Sequence, residues 1–230
     1  MSTTDLAATS PRRRGRPRKD ARPLGSPGTK DLILHAATDA FARRGFDGAS
    51  LVDIAAAAGV TTGAVYSHFR GKPELLLTVV SSTLEAVDPQ RRSEADVTPA
   101  YLHEWMAWLL APEQTHLRAL VAEIHHAAAR DPEVRALLSD YGRQYTRMIA
   151  TMVARWQAEG AVASDRDPQA VARLFLVQAL GLCTTGAFRP DLVHGQGFLV
   201  LFDRQLGLLL GEPEVAGQTR STAAPANWAL

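Results

Sequence analysis

From Lys30 onward the apolar residues recur every three or four positions. Ile33, Ala37, Ala40 and Phe41 fall on one helical face, and Gly45 is a natural stop. The pattern predicts a first helix of about fourteen residues starting at Thr29. Ser50 followed by Asp53 has the spacing of a capping box, in which the hydroxyl takes an orphan backbone N–H and the carboxylate reaches back. A second helix therefore starts at Leu51 and ends at Gly59, a residue free to take the left-handed conformation. Val60 tucks in beside that end, and Thr61 can cap a third helix running to about Phe69. Val65 and Phe69 lie four apart and face inward, which leaves Thr62, Gly63, Tyr66 and Ser67 on the outer side. Two short helices sharing a tight glycine-bearing turn form the helix-turn-helix signature, whose first helix crosses the DNA backbone and whose second enters the major groove.

A fourth helix is expected from Pro73 towards Ala86. Further helical periodicity covers residues 99 to 110, 113 to 130, 132 to 159, 168 to 188 and 195 to 210, with no strand signal. The expected fold is all-α: a three-helix helix-turn-helix head over residues 29 to 72, joined by the fourth helix to a larger helical ligand-binding and dimerisation domain over residues 73 to 210. The helix from residue 132 carries the clearest stripe, with Val134, Leu137, Leu138, Tyr141, Tyr145, Met148, Met152 and Trp156 at helical spacing. "LFLVQALGLC", from Leu174, is apolar nearly all round and must be covered on every side, and "FLVLFDRQLGLLL" supplies a second apolar surface. A second copy of the chain is the simplest cover. The residues placed at that interface are Phe175, Leu176, Leu180, Cys183, Phe198, Phe202 and Leu206. Both apolar runs fall short of the ~18 residues that span a bilayer, so no membrane span is expected.

Composition adds a location and an asymmetry. A hydrophobic content of 46% over 230 residues supports a packed core, and the single cysteine, Cys183, excludes an intrachain disulfide. No apolar run follows the basic N-terminus to make a secretory signal, and a cytoplasmic location is expected. Residues 1 to 80 hold 12 Lys and Arg against 7 Asp and Glu, whereas the remainder holds 13 against 17. Much of the basic excess sits within residues 1 to 28, where repeated Arg, Gly and Pro predict a flexible arm that is either a solubilising tail or a polyanion-binding segment. Its core, Arg14-Gly15-Arg16-Pro17 with Arg12, Arg13, Arg18 and Lys19 around it, resembles an AT-hook, which lies extended in the narrow minor groove of A·T-rich DNA. Residues 211 to 230 are polar and helix-poor, and are expected to be disordered.

Fragments of catalytic motifs do not assemble. His103-Glu104 opens like the zinc motif H-E-x-x-H, but position 107 is Ala. Gly195-x-Gly197 follows no strand, and Gly71-Lys72 has Tyr66 where a phosphate-binding loop needs Gly. His125 and His126 point ~100° apart on a helix and cannot chelate one ion as a pair. Cys183 lies in an apolar run and reads as a buried hydrophobe. The chain is read as a non-enzyme with no cofactor and no metal.

The stretch from residue 33 to residue 80 resembles the DNA-binding domain of the tetracycline-repressor (TetR) family. The resemblance rests on Phe41 with Gly45-Phe46, on Ile54-Ala55 with Ala58-Gly59-Val60, and on Gly63-x-x-Tyr66-x-His68-Phe69 followed by Lys72. It implies that Tyr66, His68 and Lys72 meet phosphates, and that Thr61, Thr62, Gly63 and Ser67 read bases; Ser50 is placed with this DNA-facing set. The family often has Lys where Thr62 stands, and an acidic residue where Pro73 stands. The resemblance also implies a homodimer formed by the last two long helices, bound to a palindromic operator and released by a small-molecule effector. Trp105, Trp108, His125, Tyr141, Tyr145 and Met148 are the expected effector contacts, because aromatic and polarisable side chains recur in apolar pockets. The alternative is an architectural protein that coats A·T-rich DNA through the arm and needs no ligand. Deleting residues 1 to 22 is expected to weaken DNA binding, most on operators with A·T-rich flanks, and to flatten the log–log salt dependence by about 0.9 per lost phosphate contact. Titrations of the truncated chain on both flank types, at several salt concentrations, check this. Unchanged affinity and slope identify a solubilising tail.

Overall fold

The computed structural model describes residues 28–84, 96–193 and 195–212, and among them every regular element is helical. The basic arm at residues 12 to 19, and the C-terminal tail from residue 213, lie outside the described residues. The helices are α1 (Thr29–Gly48), α2 (Leu51–Ala57), α3 (Thr62–Tyr66), α4 (Lys72–Leu84), α5 (Pro99–Leu110), α6 (Thr115–Arg130), α7 (Pro132–Ala158), α8 (Pro168–Phe188), α9 (Pro190–Val193) and α10 (Gln196–Leu210).

The helix starts follow local chemistry. Asp131 accepts from the N–H groups of Glu133 and Val134 at 2.8 and 3.3 Å, and Asp167 accepts from that of Gln169 at 3.1 Å. A proline follows each cap, where its missing N–H costs nothing. The residues before α6 differ from the sequence expectation: Pro112–Gln114 wind as a 3-10 turn, so α6 starts at Thr115 and not at position 113. α9 has four residues, too few to show a period, and α3 ends at Tyr66, short of Phe69.

One apolar cluster extends from Ile33 to Leu210. α4 joins its two ends, with Leu75, Leu76, Val79 and Val80 buried between α1 and α7. α6, α7 and α8 pack on one another at the centre, and α6 also packs on α1. Trp156 on α7 is buried and donates its indole N–H to the carbonyl of Val97 at 2.9 Å, securing the lead into α5. His103 on α5 is buried too; Nδ1 lies 2.5 Å from Asp203 on α10 and Nε2 lies 3.3 Å from Glu212. The residue that opened like a zinc motif thus ties α5 to α10.

Arg118 is fully buried. It donates to the carbonyls of Leu109 and Ala111, both at 2.8 Å, and to Thr115 Oγ1 at 3.0 Å. These acceptors include the C-terminal carbonyls of α5, where a cation is favoured. Burial lowers its pKa, an effect opposed by Cys183 and Glu113. Gly186 on α8 makes room for it, since a Cβ there would lie 3.1 Å from both Cδ and Nε of Arg118.

α8 bears on two sequence expectations. With 21 residues and a mean hydropathy of 1.5 it is, among the described residues, one helix long and apolar enough to cross a membrane by length and composition. The run counted along the sequence is shorter than the helix because Arg173 bounds it on one side and Thr184 and Thr185 on the other. Second, Phe175, Cys183 and Leu206, expected at the interface between copies, are buried within the chain itself. Leu176, Phe198 and Phe202 are half-buried, and Leu180 is exposed. The outward arc holds Leu174, Val177 and Leu180 on α8, with Leu201 and Leu208 exposed on α10. A helix apolar all round does not disclose which arc its own neighbours cover.

Burial pushes the Cys183 thiol up from 9.0 to about 12, a shift that the nearby Arg118 opposes. A raised thiol pKa contributes stability that is fully present below pH 9.0 and is lost as pH rises towards about 12. The urea midpoint is therefore expected to fall above pH 9.0, and the native thiol to react with a disulfide reagent far more slowly than the urea-unfolded one. Equal reaction rates for the two forms would place Cys183 at the surface.

Candidate nucleic-acid interface and effector core

The helix-turn-helix is assembled by its caps. Ser50 Oγ accepts from the N–H groups of Val52 and Asp53 at 3.1 and 3.5 Å. Asp53 does not complete the expected box; its carboxylate binds Arg44 on α1 at 2.9 Å. Gly59 has φ +66°, and the α2 end closes with Gly59 N–H donating to Ala56 and Val60 N–H to Ala55, at 3.1 and 3.0 Å. This paired closure turns the chain sharply into Thr61. Thr61 Oγ1 then accepts from Ala64 N–H at 3.1 Å and starts α3.

Val65 and Phe69 are buried as the spacing predicts. Thr61, Gly63, Tyr66, Ser67 and His68 are exposed, and Thr62 is half-buried. Tyr66 is 58% exposed. Together these side chains form a small polar platform with glycine at its centre, shaped for close approach. The hydroxyl of Ser67 donates to the Ala64 carbonyl at 2.7 Å.

Lys72 occupies a different place from an extended phosphate contact. Its ammonium donates to the Ala49 carbonyl at 3.1 Å and lies 4.4 Å from the centroid of the Phe46 ring. Two of its three N–H groups remain for other acceptors. Arg70, not identified from the sequence, is exposed between Phe69 and Lys72, and its backbone N–H donates to Glu74 at 2.7 Å. Its signal was a cation two residues after His68, in a segment without regular periodicity.

Three of the six expected effector residues come together. Ring centroids lie 5.9 Å apart for Trp105 and Tyr145 and 4.7 Å for Tyr141 and Tyr145. Tyr101 and Phe175 extend the group, at 6.5 and 5.4 Å from Trp105. Met148 is half-buried one turn beyond Tyr145, and Trp108 is buried one turn beyond Trp105. His125 lies half-buried with Nδ1 2.7 Å from its own helix's Val121 carbonyl. Trp105 Nε1 and Gln178 Oε1 are buried without a hydrogen-bond partner within the chain. Each such atom costs about 1–3 kcal/mol if left unsatisfied. Phe175 was assigned to the interface from sequence and Gln178 was not singled out, because neither shares a helix with the Tyr141–Met148 stripe.

Comparison with known proteins finds family models of transcription regulators that match both parts of the chain. Residues 33–79 match the model of bacterial regulatory proteins of the tetR family, and residues 100–211 match that of the C-terminal part of BetI-type transcriptional repressors. The chain is 27% identical over 157 residues to the HTH-type transcriptional regulator UidR of Escherichia coli K12, covering 67% of this chain and 79% of that protein. It is 43% identical over 74 residues to the regulator TtgR of Pseudomonas putida, covering 31% of this chain and 35% of that one. The solved structure of Salmonella enterica GusR superposes with a TM-score of 0.65 at 27% identity, over 84% of this chain and 98% of that one.

Lys72 and Tyr66 are expected to respond differently to mutation. Lys72→Ala removes a hydrogen bond and a cation–π contact, and is expected to lower stability by roughly 1–2 kcal/mol as well as weakening DNA binding. Tyr66→Phe is expected to weaken DNA binding evenly across sequences at unchanged stability. Urea unfolding and gel shifts on both variants make the comparison. A stability loss in Tyr66→Phe, or none in Lys72→Ala, contradicts the assignment.

Proposed function

Because this chain belongs to the TetR family of bacterial regulatory proteins, we propose that it represses transcription as a homodimer on a palindromic operator and is released by a small-molecule effector. DNA binding and transcription regulation come with the family. The observation that carries the finer reading is the α3 platform, polar and exposed from Thr61 to His68 over the buried Val65 and Phe69. In this reading Thr61, Thr62, Gly63 and Ser67 read bases in the major groove. Tyr66, His68, Lys72 and Arg70 hold phosphates, Ser50 sits at the α2 end nearest the backbone, and the arm at residues 12 to 19 follows the flanking minor groove.

The exposed apolar arc of α8 and α10 supports dimerisation, since two-fold proteins present their recognition helices one duplex turn apart. α8 packs on α6 and α7, which favours a helix of a folded core over a membrane span and agrees with a cytoplasmic regulator. The effector is read into the group around Trp105, Tyr141 and Tyr145, where rings supply contact area and the buried Trp105 Nε1 has no hydrogen-bond partner within the chain. The architectural alternative assigns this group no role beyond packing, and catalysis is no part of the proposed reading.

Selection of duplexes from a random library by the wild-type chain tests the proposal. The expected result is a palindrome whose half-sites lie on the order of 34–36 Å apart. Broad recovery of A·T-rich sequence with no dyad supports the architectural alternative. Val177→Asp, at a position 64% exposed in the chain, is expected to keep its helical content and sediment as a monomer. Phe175→Asp, with no exposure, is expected not to fold. A dimeric Val177→Asp moves the interface elsewhere.

A further inference from the structure

The corner between α1 and α2 is held from outside by α6. At Gly45 the backbone takes φ +68° and ψ −179°, leaving the helical region and turning the next peptide out of the α1 ladder. The N–H of Phe46 donates to Glu123 Oε1, a residue 77 positions away on α6. The carboxylate lies over Gly45 as well: a Cβ there would stand 3.0 Å from Oε1 and 3.4 Å from Cδ. Gly45 is therefore required twice, for the positive φ and for the approach of a charged group from another helix.

Two further observations give this contact direction. Arg130, seven residues after Glu123 and so on the same face of α6, binds Asp47 at 2.9 Å. The side chain of Phe46 points the other way, buried in the helix-turn-helix core 6.4 Å from Phe41 and beneath the Lys72 ammonium. Lys72 in turn binds the Ala49 carbonyl just before α2. Residue 46 is thus gripped through its backbone by α6 and through its ring by the reading head. The rest of α6 belongs to the effector core, with Leu117, Leu120, Val121 and Ile124 buried and the helix packed on α7 and α8.

We propose that Glu123 is a positioning residue for DNA binding: its carboxylate, through the Phe46 amide, sets the placement of the helix-turn-helix on the α6–α8 core. The Arg130–Asp47 pair is exposed on both sides and is a minor partner, as exposed ion pairs generally are. Placement matters because the two recognition helices of a dimer must match one operator spacing, and a tilt at this corner is magnified at α3. The inference rests on the DNA-binding reading, and the wild-type selection above separates the two. A wild-type chain that recovers no duplex removes the reading, whereas variants that bind the recovered duplex normally remove only the inference.

The test uses the full chain and the duplex selected by the wild type. Glu123→Ala deletes the acceptor, Glu123→Asp keeps the charge but is one methylene too short to reach, and Glu123→Gln keeps an acceptor oxygen at the same reach. Duplex affinity is measured per active molecule, alongside the urea midpoint and hydrogen exchange in the peptide spanning residue 46. Glu123→Ala and Glu123→Asp are expected to lose about tenfold in affinity, within the range typical of coupling between sites, and to exchange faster at residue 46. Glu123→Gln is expected to restore most of both. A purely structural role would lower the midpoint and leave the affinity of folded molecules untouched. Wild-type affinity in Glu123→Asp overturns the proposal, including the case in which Glu123→Ala does not fold; so does a Gln variant no better than Asp.

Discussion

Arg118 lies in the first turn of α6 with no exposed surface, and its guanidinium donates to peptide carbonyls at and just beyond the end of α5, those of Leu109 and Ala111. A buried cation tolerates little freedom in its acceptors, because any acceptor that moves away leaves charge in an apolar interior. The end of α5, the 3-10 turn and the start of α6 are therefore one rigid corner. α8 packs on it only because Gly186 presents no side chain there. With its start fixed in this way, α6 carries its far half across to α1, where Glu123 and Arg130 meet the chain between Gly45 and Asp47. One helix is thereby common to the α6–α8 core and the helix-turn-helix head.

The head needs such support. A five-residue helix such as α3 makes few internal hydrogen bonds, and helices of this length are not stable alone. Its shape comes from the Gly59 closure, the Thr61 cap and the burial of Val65 and Phe69, all local, and from packing on α1 and α2. Lys72 shows how closely structure and recognition share side chains here. The same ammonium that could reach a phosphate also holds the Ala49 carbonyl and covers Phe46, so the surface that reads DNA and the lock that shapes it are partly the same atoms.

The effector core follows another logic. Its rings come from α5, α7 and α8, and the polar atoms without partners, Trp105 Nε1 and Gln178 Oε1, sit on two of those helices. The geometry there depends on how three helices converge, while that of α3 is set largely within the stretch from Gly59 to Phe69. His103, gripped by Asp203 and Glu212, supports the convergence from the α10 side by keeping that helix on α5.

Features governed by contacts within a few residues were legible in the chain itself. The helix-turn-helix, the inward Val65 and Phe69, the proline-led starts of α5, α7 and α8, and the family likeness all rest on caps, turns and a period of 3.6 residues, which a sequence carries directly. Features governed by distant neighbours were not. Asp53 turned to Arg44 instead of to its own cap, Lys72 turned inward to Ala49, and Phe175, Cys183 and Leu206 proved to be core because α8 is covered by α5, α6 and α7, and α10 packs on α5 and α8. No local pattern singles out Arg118 or Glu123. Their partners, the Leu109 carbonyl and the Phe46 amide, are reached only when the chain folds back on itself, and no local period records where a distant backbone group will stand.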